Sequence, residues 1–429
     1  MHITIHRGIN QIGGCITEIA TANTRILIDL GQNLPDGEGV VDDEFANSKV
    51  IEQLTKNVDA IFYTHYHGDH VGLFYLVPDP IQQYIGEVAK QVIFRKHKQL
   101  SYKQELKESA EKEMAIIEKM IQYKAKQTIT IGDIKLTPYF VSHSACDAHM
   151  FLIEADGKRV LHTGDFRDHG YLGKGLLPVI EKLILPTGKI DFLITEGTML
   201  SRLDEKVRHK NDLKLQVMEL MKQYKNVFVL CSSTDLDRLA TFHAANLEMR
   251  NRPFVCDEYQ KDVLKIFSDT AGKHSPLFIF KKPYTFSDTN HKLTTWIKDQ
   301  GVCMLVRATD KFNKYIDYLM PQLKKEETIL IFSMWKEYIN PQSKHANKNN
   351  LDFISKFPTV TQIHTSGHAS ADCLAAVCNL VNPTLGIIPI HSENSSHYQK
   401  LPLSENLKNK IITTTTTLEN IEIEIKSKK

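Results

Sequence analysis

Residues 62–72 read FYTHYHGDHVG and place His65, His67, Asp69 and His70 within six positions. All four side chains are metal-ligand types. Zinc takes imidazole nitrogen at about 2.0–2.1 Å and carboxylate oxygen at a similar range. Alternate residues of an extended segment point the same way, so His65 and His67 can share one ion. Gly68 is expected to permit a tight turn. Asp69 and His70 then fall where a helix can begin, offset enough to reach a second ion. The bland alternative is a surface histidine cluster, but H-x-H-x-D-H directly after the apolar run at 59–64 has few structural excuses.

A metal site needs further ligands, and three stretches offer them. FVSHS carries His143, LHTGDFRDHG carries Asp165 and IPIHSEN carries His391, each just after an apolar run. A lone histidine at a strand end is more often a hydrogen-bonded structural residue. Strand ends along one edge of a sheet converge in space, so distant residues can meet there. Together the three would complete two coordination spheres.

The elements that must position them are strands in the first half. HITIHRG, CITEIAT and RILIDLG are β-branched runs divided by Gly or Asn, and VDAIFYTH follows. A helix is expected over about 101–127, where Leu106, Ala110, Met114, Ile117 and Ile121 form an apolar stripe. Strands resume with TITIGD, IKLTPYFVSH, HMFLIEADG, RVLHTGD and IDFLITEG. From about 201 to 357 strand-like runs (NVFVLCS, RPFVCD, VCMLVR, ETILIFS) alternate with helical ones at about 235–249, 258–268 and 311–319. That alternation implies βαβ units and a parallel sheet. The ligand-bearing pattern then returns, with a helix at about 371–380. One domain interrupted by a second is the simplest layout: 1–200 and 358–429 form the first, 201–357 the second. TTTTT at 413–417 reads as strand.

Composition narrows the class. The 429 residues are 42% hydrophobic and 24% charged, an ordinary globular balance. The net charge is +2, so a nucleic-acid partner needs a local basic groove. Lys206, Arg208, Lys210 and Lys214 mark either such a rim or a solvated face. Seven scattered cysteines without a C-x-x-C pair argue against a disulfide framework and fit a reducing, cytoplasmic setting. Met1 leads into an alternating stretch, so no leader is expected. No apolar run approaches the ~18 residues of a membrane span.

The string of motifs resembles metallo-β-lactamase-fold hydrolases of the β-CASP group and is most similar to the ribonuclease J family. GINQIGGCITEI…RILIDLG resembles that family's opening, with Asp29 as its first motif; THYHGDH is the second, His143 the third and Asp165 the fourth. Glu196 in LITEGT, His368 in HTSGHAS and His391 in IPIHSEN match the three β-CASP motifs. The resemblance implies an αββα sandwich interrupted by a β-CASP domain with a mostly parallel sheet. It implies that His65, His67 and His143 hold one zinc, that Asp69, His70 and His391 hold another, and that Asp165 bridges them. Manganese is the alternative metal. Asp29 would support the site from behind, and Asp69, Glu196 and His368 would act at the scissile phosphate. The inserted domain would close over the site, leaving a narrow entry.

The resemblance further implies a ribonuclease acting on single-stranded RNA, exo or endo. His391 leans to RNA, since the DNA-repair branch tends to carry Val there. A DNA nuclease of the same group and a non-catalytic scaffold are the rivals. In CSSTDLDR, Ser232, Ser233 and Thr234 precede a helix start and can bind phosphate or simply cap the helix, with Arg238 one turn in. Ser366 and Gly367 beside His368 read the same way. The chain departs from the family where a Gly-Ser-Gln-Gly-Glu run is usual, reading MWKEYINPQSKHANKNN after ETILIFS. The 35 residues after Asn394 leave no room for the family's usual assembly domain, which leaves a homodimer as an open question.

Overall fold

In the computed structural model the chain is described over residues 1–426, except 38, 203, 204, 206, 250, 251, 419 and 420. It divides into two compact units. The first comprises 1–34, 41–206 and 367–429, and the second 35–40 and 207–366. In chain order the first unit contributes β1 (His2–Arg7), β2 (Ile16–Ala20), β3 (Arg25–Ile28), β4 (Ala60–Phe62), β5 (Gln82–Gly86) and β6 (Ile121–Tyr123). It continues with β7 (Ile129–Ile131), β8 (Ile134–Phe140), β9 (His149–Ala155), β10 (Lys158–His162) and β11 (Phe192–Glu196). The second unit holds β12 (Asn226–Cys231), β13 (Phe254–Cys256), β14 (Tyr284–Thr285), β15 (Val302–Val306), β16 (Thr328–Ser333) and β17 (Val360–Gln362). The chain then returns to the first unit with β18 (Gly386–Ile390), β19 (Thr416–Leu418) and β20 (Ile421–Ile425).

The first unit is built on two sheets, ordered β19-β20-β1-β2-β3-β4-β5-β6 and β18-β11-β10-β9-β8-β7. Their period-2 side chains explain why they stack. Ile3, Ile5, Ile26, Ile28 and Phe62 of one sheet share a core with Phe151, Ile153, Val160, Ile194 and Ile388 of the other. The alternate residues Leu152, Leu161, Leu193 and Ile387 point outward, into a layer with Ile180, Ile184, Leu374, Val377 and Cys378. Strands buried on both faces read as continuous apolar runs, which is the pattern of FLITE and GIIPI. Helices Glu87–Leu100 and Lys107–Lys119 pack against each other, the former on β5 and β6. The layers are therefore αββα.

Two helical expectations need correction. The helix expected over 101–127 is shorter: it runs Lys107–Lys119, and Ile121–Tyr123 is strand β6, parallel to β5. Of its stripe only Ala110 and Ile117 are buried; Ile121 is exposed. β-branched and aromatic residues beside an open sheet edge gain more from pairing than from another helical turn. The helix Glu87–Leu100 was not anticipated, because it follows β5 without a polar break. The threonine run enters a strand only at Thr416 and Thr417.

The second unit has one all-parallel sheet, β14-β13-β15-β12-β16-β17. Its core joins Phe228, Leu230, Met304 and Leu330 to helix residues such as Ile297, Phe312 and Ile316. Lys210 does not belong to a basic rim. It begins the helix Lys210–Gln223 fully buried, 3.9 Å from Asp235; Lys206 lies outside the described residues. No helix among the described residues is long and apolar enough to cross a membrane.

Candidate active site

Every strand that delivers a candidate ligand ends on the same edge of its sheet. β3 and β4 are parallel, and Asp29, Thr64 and His65 follow their carboxyl ends. β8, β10, β11 and β18 also run one way, and His143, Asp165, Glu196 and His391 lie at or just beyond their ends. After β4 the chain does not stay extended as the alternation of His65 and His67 presumed: it bends through 64–66, and from an extended His67 it makes the single helical turn Gly68–Val71. Gly68 is not what this turn requires, since a Cβ there would meet nothing within 4 Å. The crowded glycine is Gly31, whose Cβ would lie 1.8 Å from the Asp69 carbonyl oxygen.

His65 Nε2 lies 3.1 Å from His67 Nδ1, and His143 Nε2 lies 3.3 Å from the same atom. A tetrahedron with bonds of about 2.0–2.1 Å has edges of about 3.3–3.4 Å, so these nitrogens stand at the spacing of ligands around one ion. Burial holds His65 and His143 well below the usual imidazole range and His67 down at about 4, against the upward pull of Asp69 on His67. Neutral imidazole is the coordinating form.

The second group forms around Asp165. Its Oδ2 is 3.1 Å from His70 Nε2, 3.6 Å from His391 Nε2 and 3.9 Å from His143 Nε2. Asp69 Oδ2 is 3.1 Å from His391 Nε2. One buried carboxylate thus touches both ligand groups, while its Oδ1 has no hydrogen-bond partner. A buried carboxylate oxygen without a donor fits a cation. His70 departs from the other imidazoles. Burial opposes its charge, but Asp165 and Asp29 outweigh that and raise it well above the ordinary value. This corner therefore calls for positive charge. The set of imidazoles and carboxylates matches the chemistry of divalent zinc or manganese.

Residues 24–227 match the model of the Beta-lactamase superfamily domain. Ribonuclease J of Helicobacter pylori (strain B128) is 22% identical over 420 residues, covering 91% of this chain and 56% of that protein. An RNase J-like protein of Methanocaldococcus jannaschii is 30% identical over 229 residues, 52% of this chain and 49% of that one. The chain thus spans about half the length of these relatives. A crystal structure of a protein of unknown function from Enterococcus faecalis V583 superposes over 97% of this chain with a TM-score of 0.69 and 19% identity. The chain is a metallo-β-lactamase-fold protein with a ribonuclease J-like sequence.

Behind the candidate ligands of this ribonuclease J-like chain lies a layer of orienting groups. Asp29, in a left-handed backbone conformation (φ +62°), accepts hydrogen bonds from the Thr64 amide at 2.7 Å and the Thr64 hydroxyl at 2.8 Å. Its Oδ2 also lies 2.7 Å from His70 Nδ1, which leaves Nε2 to face Asp165. Carboxylates in this position fix a ligand's tautomer and raise its basicity. Glu196 is fully buried. Its Oε1 accepts the Phe166 and Ala369 amides at 3.0 and 3.3 Å, and its Oε2 lies 3.1 Å from His368 Nδ1. Burial pulls His368 down, but Glu196 and Asp165 more than offset it, and its net shift is upward.

Three contributors were not singled out in the sequence, although Thr198 and Cys15 lie within quoted motifs. The Thr198 hydroxyl lies 2.7 Å from His391 Nδ1 and 3.2 Å from His368 Nδ1, so it ties the two together. Tyr398 donates to the Glu196 carbonyl. The Cys15 thiol stands with His70 and His391, their ligand atoms within 4.8 Å of one another; burial raises it well above the ordinary thiol range, so it stays protonated.

The remaining sequence candidates fall in the second unit, except Gly367, whose Cβ would meet the Ser144 hydroxyl at 3.1 Å. Asp235 caps the helix Leu236–Met249 by accepting the Arg238 amide at 3.1 Å. Arg238 is buried and donates to Ser333 Oγ at 2.9 Å and to the Thr365 carbonyl at 2.8 Å, so it braces strand ends within its unit. Ser232 is exposed, and Ser233 is held through its carbonyl by Gln260 at 2.9 Å. Thr234 is partly exposed, and Ser366 is buried.

Proposed function

We propose that this chain is a metal-dependent ribonuclease that hydrolyses phosphodiester bonds of single-stranded RNA, with two zinc ions, or manganese in their place. The observation that carries the reading is Asp165, one buried carboxylate within 3.9 Å of His70, His391 and His143. The relatives named ribonuclease J support RNA as the substrate class, and His391 stands where the RNA-acting members of the β-CASP group carry histidine.

Two divalent ions so held supply a water of lowered pKa and neutralise charge on the phosphoryl oxygens. His65, His67 and His143 would hold one, and Asp69, His70 and His391 the other, with Asp165 between them. The protein's own groups do the rest. Glu196 fixes His368 through Nδ1, so Nε2 faces away and can give a proton to the leaving oxygen. The upward shift of His368 favours that protonated form. Thr198 keeps the His368 and His391 rings in register. The 207–366 unit would be the β-CASP domain, with Ser232, Ser233, Thr234 and Ser366 against the RNA backbone.

Single strands are favoured because the reacting groups are deep. His65, His70, His143, Asp165 and His391 are all buried. A duplex must first be opened, at about 1.4 kcal/mol per base-pair step. All seven cysteines are free thiols, which supports a reducing, cytoplasmic setting.

The test uses 5′-labelled and 3′-labelled RNA and DNA of one sequence, with the protein as purified, after chelation and after readdition of zinc or manganese. Single-stranded RNA should be cut, chelation should stop it, and elemental analysis should give close to two metal equivalents. Blunt duplex cut as fast as single strand, preference for single-stranded DNA, or metal content near zero after loading would each overturn the reading.

A further inference from the structure

The segment after β16, where the chain departs from the ribonuclease J pattern, builds an ordered aromatic platform. Trp335 and Tyr338 meet edge to face, with ring centroids 5.6 Å apart at 88°. His345 also packs on Trp335, with ring centroids 5.0 Å apart. The 3-10 turn Lys336–Ile339 carries the first pair, and the Asn347 amide donates to the Tyr338 carbonyl at 2.9 Å, which folds the segment back on itself. The Gln362 side chain donates to the Met334 carbonyl at 3.1 Å and ties the base of the turn to β17. Rings on a turn pinned at both ends lose little freedom when a ligand lands on them.

The segment that carries the platform is rich in lysine. Lys336, Lys344 and Lys348 are all exposed. The one carboxylate of the stretch, Glu337, accepts from Asn340 Nδ2 at 2.9 Å. Tyr338 presents 37% of its surface to solvent. The location matters as much as the chemistry. β16 and β12 are adjacent and parallel, with Ser333 paired to Cys231. The platform and the hydroxyl-rich turn of Ser232, Ser233 and Thr234 therefore leave the same carboxyl edge of one sheet. Ligands of parallel sheets bind at that edge.

We propose that Trp335 and Tyr338, on a segment that also carries the exposed Lys336, Lys344 and Lys348, form a stacking site for an unpaired base of the RNA strand. The proposal rests on the ribonuclease reading and names where, in the second unit, the strand is gripped. Aromatic faces take any base, and lysines beside them take the flanking phosphates. The site would therefore add affinity with slight sequence preference. It would give unpaired strands an advantage that a stacked duplex cannot share.

Binding is measured in chelator, so that nothing is cut, with a fluorescein-labelled oligoadenylate and with an abasic strand of the same length. Tyr338→Ala and Trp335→Ala should each weaken oligoadenylate binding by about 5–100-fold. Tyr338→Phe should bind nearly as the wild type, and the abasic strand should not distinguish Tyr338→Ala from wild type. Trp296 pairs with Tyr284 elsewhere in the same unit, at 5.0 Å, and serves as the control: Trp296→Ala should bind normally. In Trp296→Phe protein, the remaining Trp335 emission should change on adding oligoadenylate. Unchanged affinity in both alanine variants, a silent Trp335, or equal losses on abasic strand would overturn the stacking site. Cleavage of RNA at the normal rate alongside such a result would leave the ribonuclease reading intact. Failure of wild-type protein to bind any RNA would sink both.

Discussion

His368 is the residue on which the proposed chemistry turns. It is held by Glu196 at 3.1 Å yet remains 22% exposed, more open than the ligands behind it. His368→Ala should lower cleavage by about 10²–10⁴-fold. Metal content should stay at the wild-type level, because His368 serves neither proposed ion. Single-turnover rates and elemental analysis on one preparation decide it, and coincident loss of metal would show that His368 is a ligand instead. That these histidines and aspartates would gather in one place was legible in the sequence because few residue types coordinate metals and four of them crowd six positions. Thr198 was not. Threonine is a common hydrogen-bonding residue, and its partners His368 and His391 lie 170 and 193 positions away. Only the fold makes that hydroxyl an orienting group.

At the scale of elements, the site depends on loops clamped from β1. Arg7 donates to Asp43 at 2.5 Å, to the Gly14 carbonyl at 2.6 Å and to the Gly31 carbonyl. Gly31 lies against Asp69, and the Cys15 amide donates to the Asp69 carbonyl at 3.0 Å. Arg7→Ala would leave the Asp43 carboxylate buried without its cation, held only by the Asn33 and Phe45 amides, a loss of about 3–5 kcal/mol. Chemical denaturation should show that loss. Metal affinity should fall with it, since the turn carrying Asp69 and His70 loses its backing; unaltered stability would refute the clamp. The outer face of the same sheet holds a pH-sensitive cluster. Burial alone would raise Glu18, but His6 and Arg25 bond to it and bring it down to about 2 from 4.5. A depressed carboxyl stabilises the fold above its unfolded pKa, and that contribution is lost as pH falls from about 4.5 through about 2. Glu18→Gln should therefore be less stable than wild type at neutral pH and lose less on acidification, as followed by thermal melts. Strands here were easier to read than helices. Runs such as VFVLC, after Asn226 in β12, are apolar throughout and bounded by polar residues. The helix Glu87–Leu100 directly follows a strand, and the helix Lys210–Gln223 buries a lysine, so neither has a clean polar face or start.

For the whole molecule, the governing fact is that the first unit is discontinuous in sequence. β18 fills its core with Ile388 and Ile390 and pairs with β11, yet it follows the entire second unit. The alternation of strands and helices over 201–357 made that insertion legible, whereas the capture of 35–40 by the second unit was not, since nothing in those residues names their partner. The same discontinuity has a consequence in time. A ribosome making this chain completes six of the seven proposed ligands by Asp165, and the seventh, His391, only after a further long stretch of synthesis. Under the proposed function, the chain is translated from a molecule of its own substrate class. With closure of the site deferred to His391, the emerging chain would be harmless to its own message for most of its synthesis. Chains released from ribosomes stalled at successive codons should cleave RNA only once they extend past residue 391, and cleavage by chains ending before it would refute the delay.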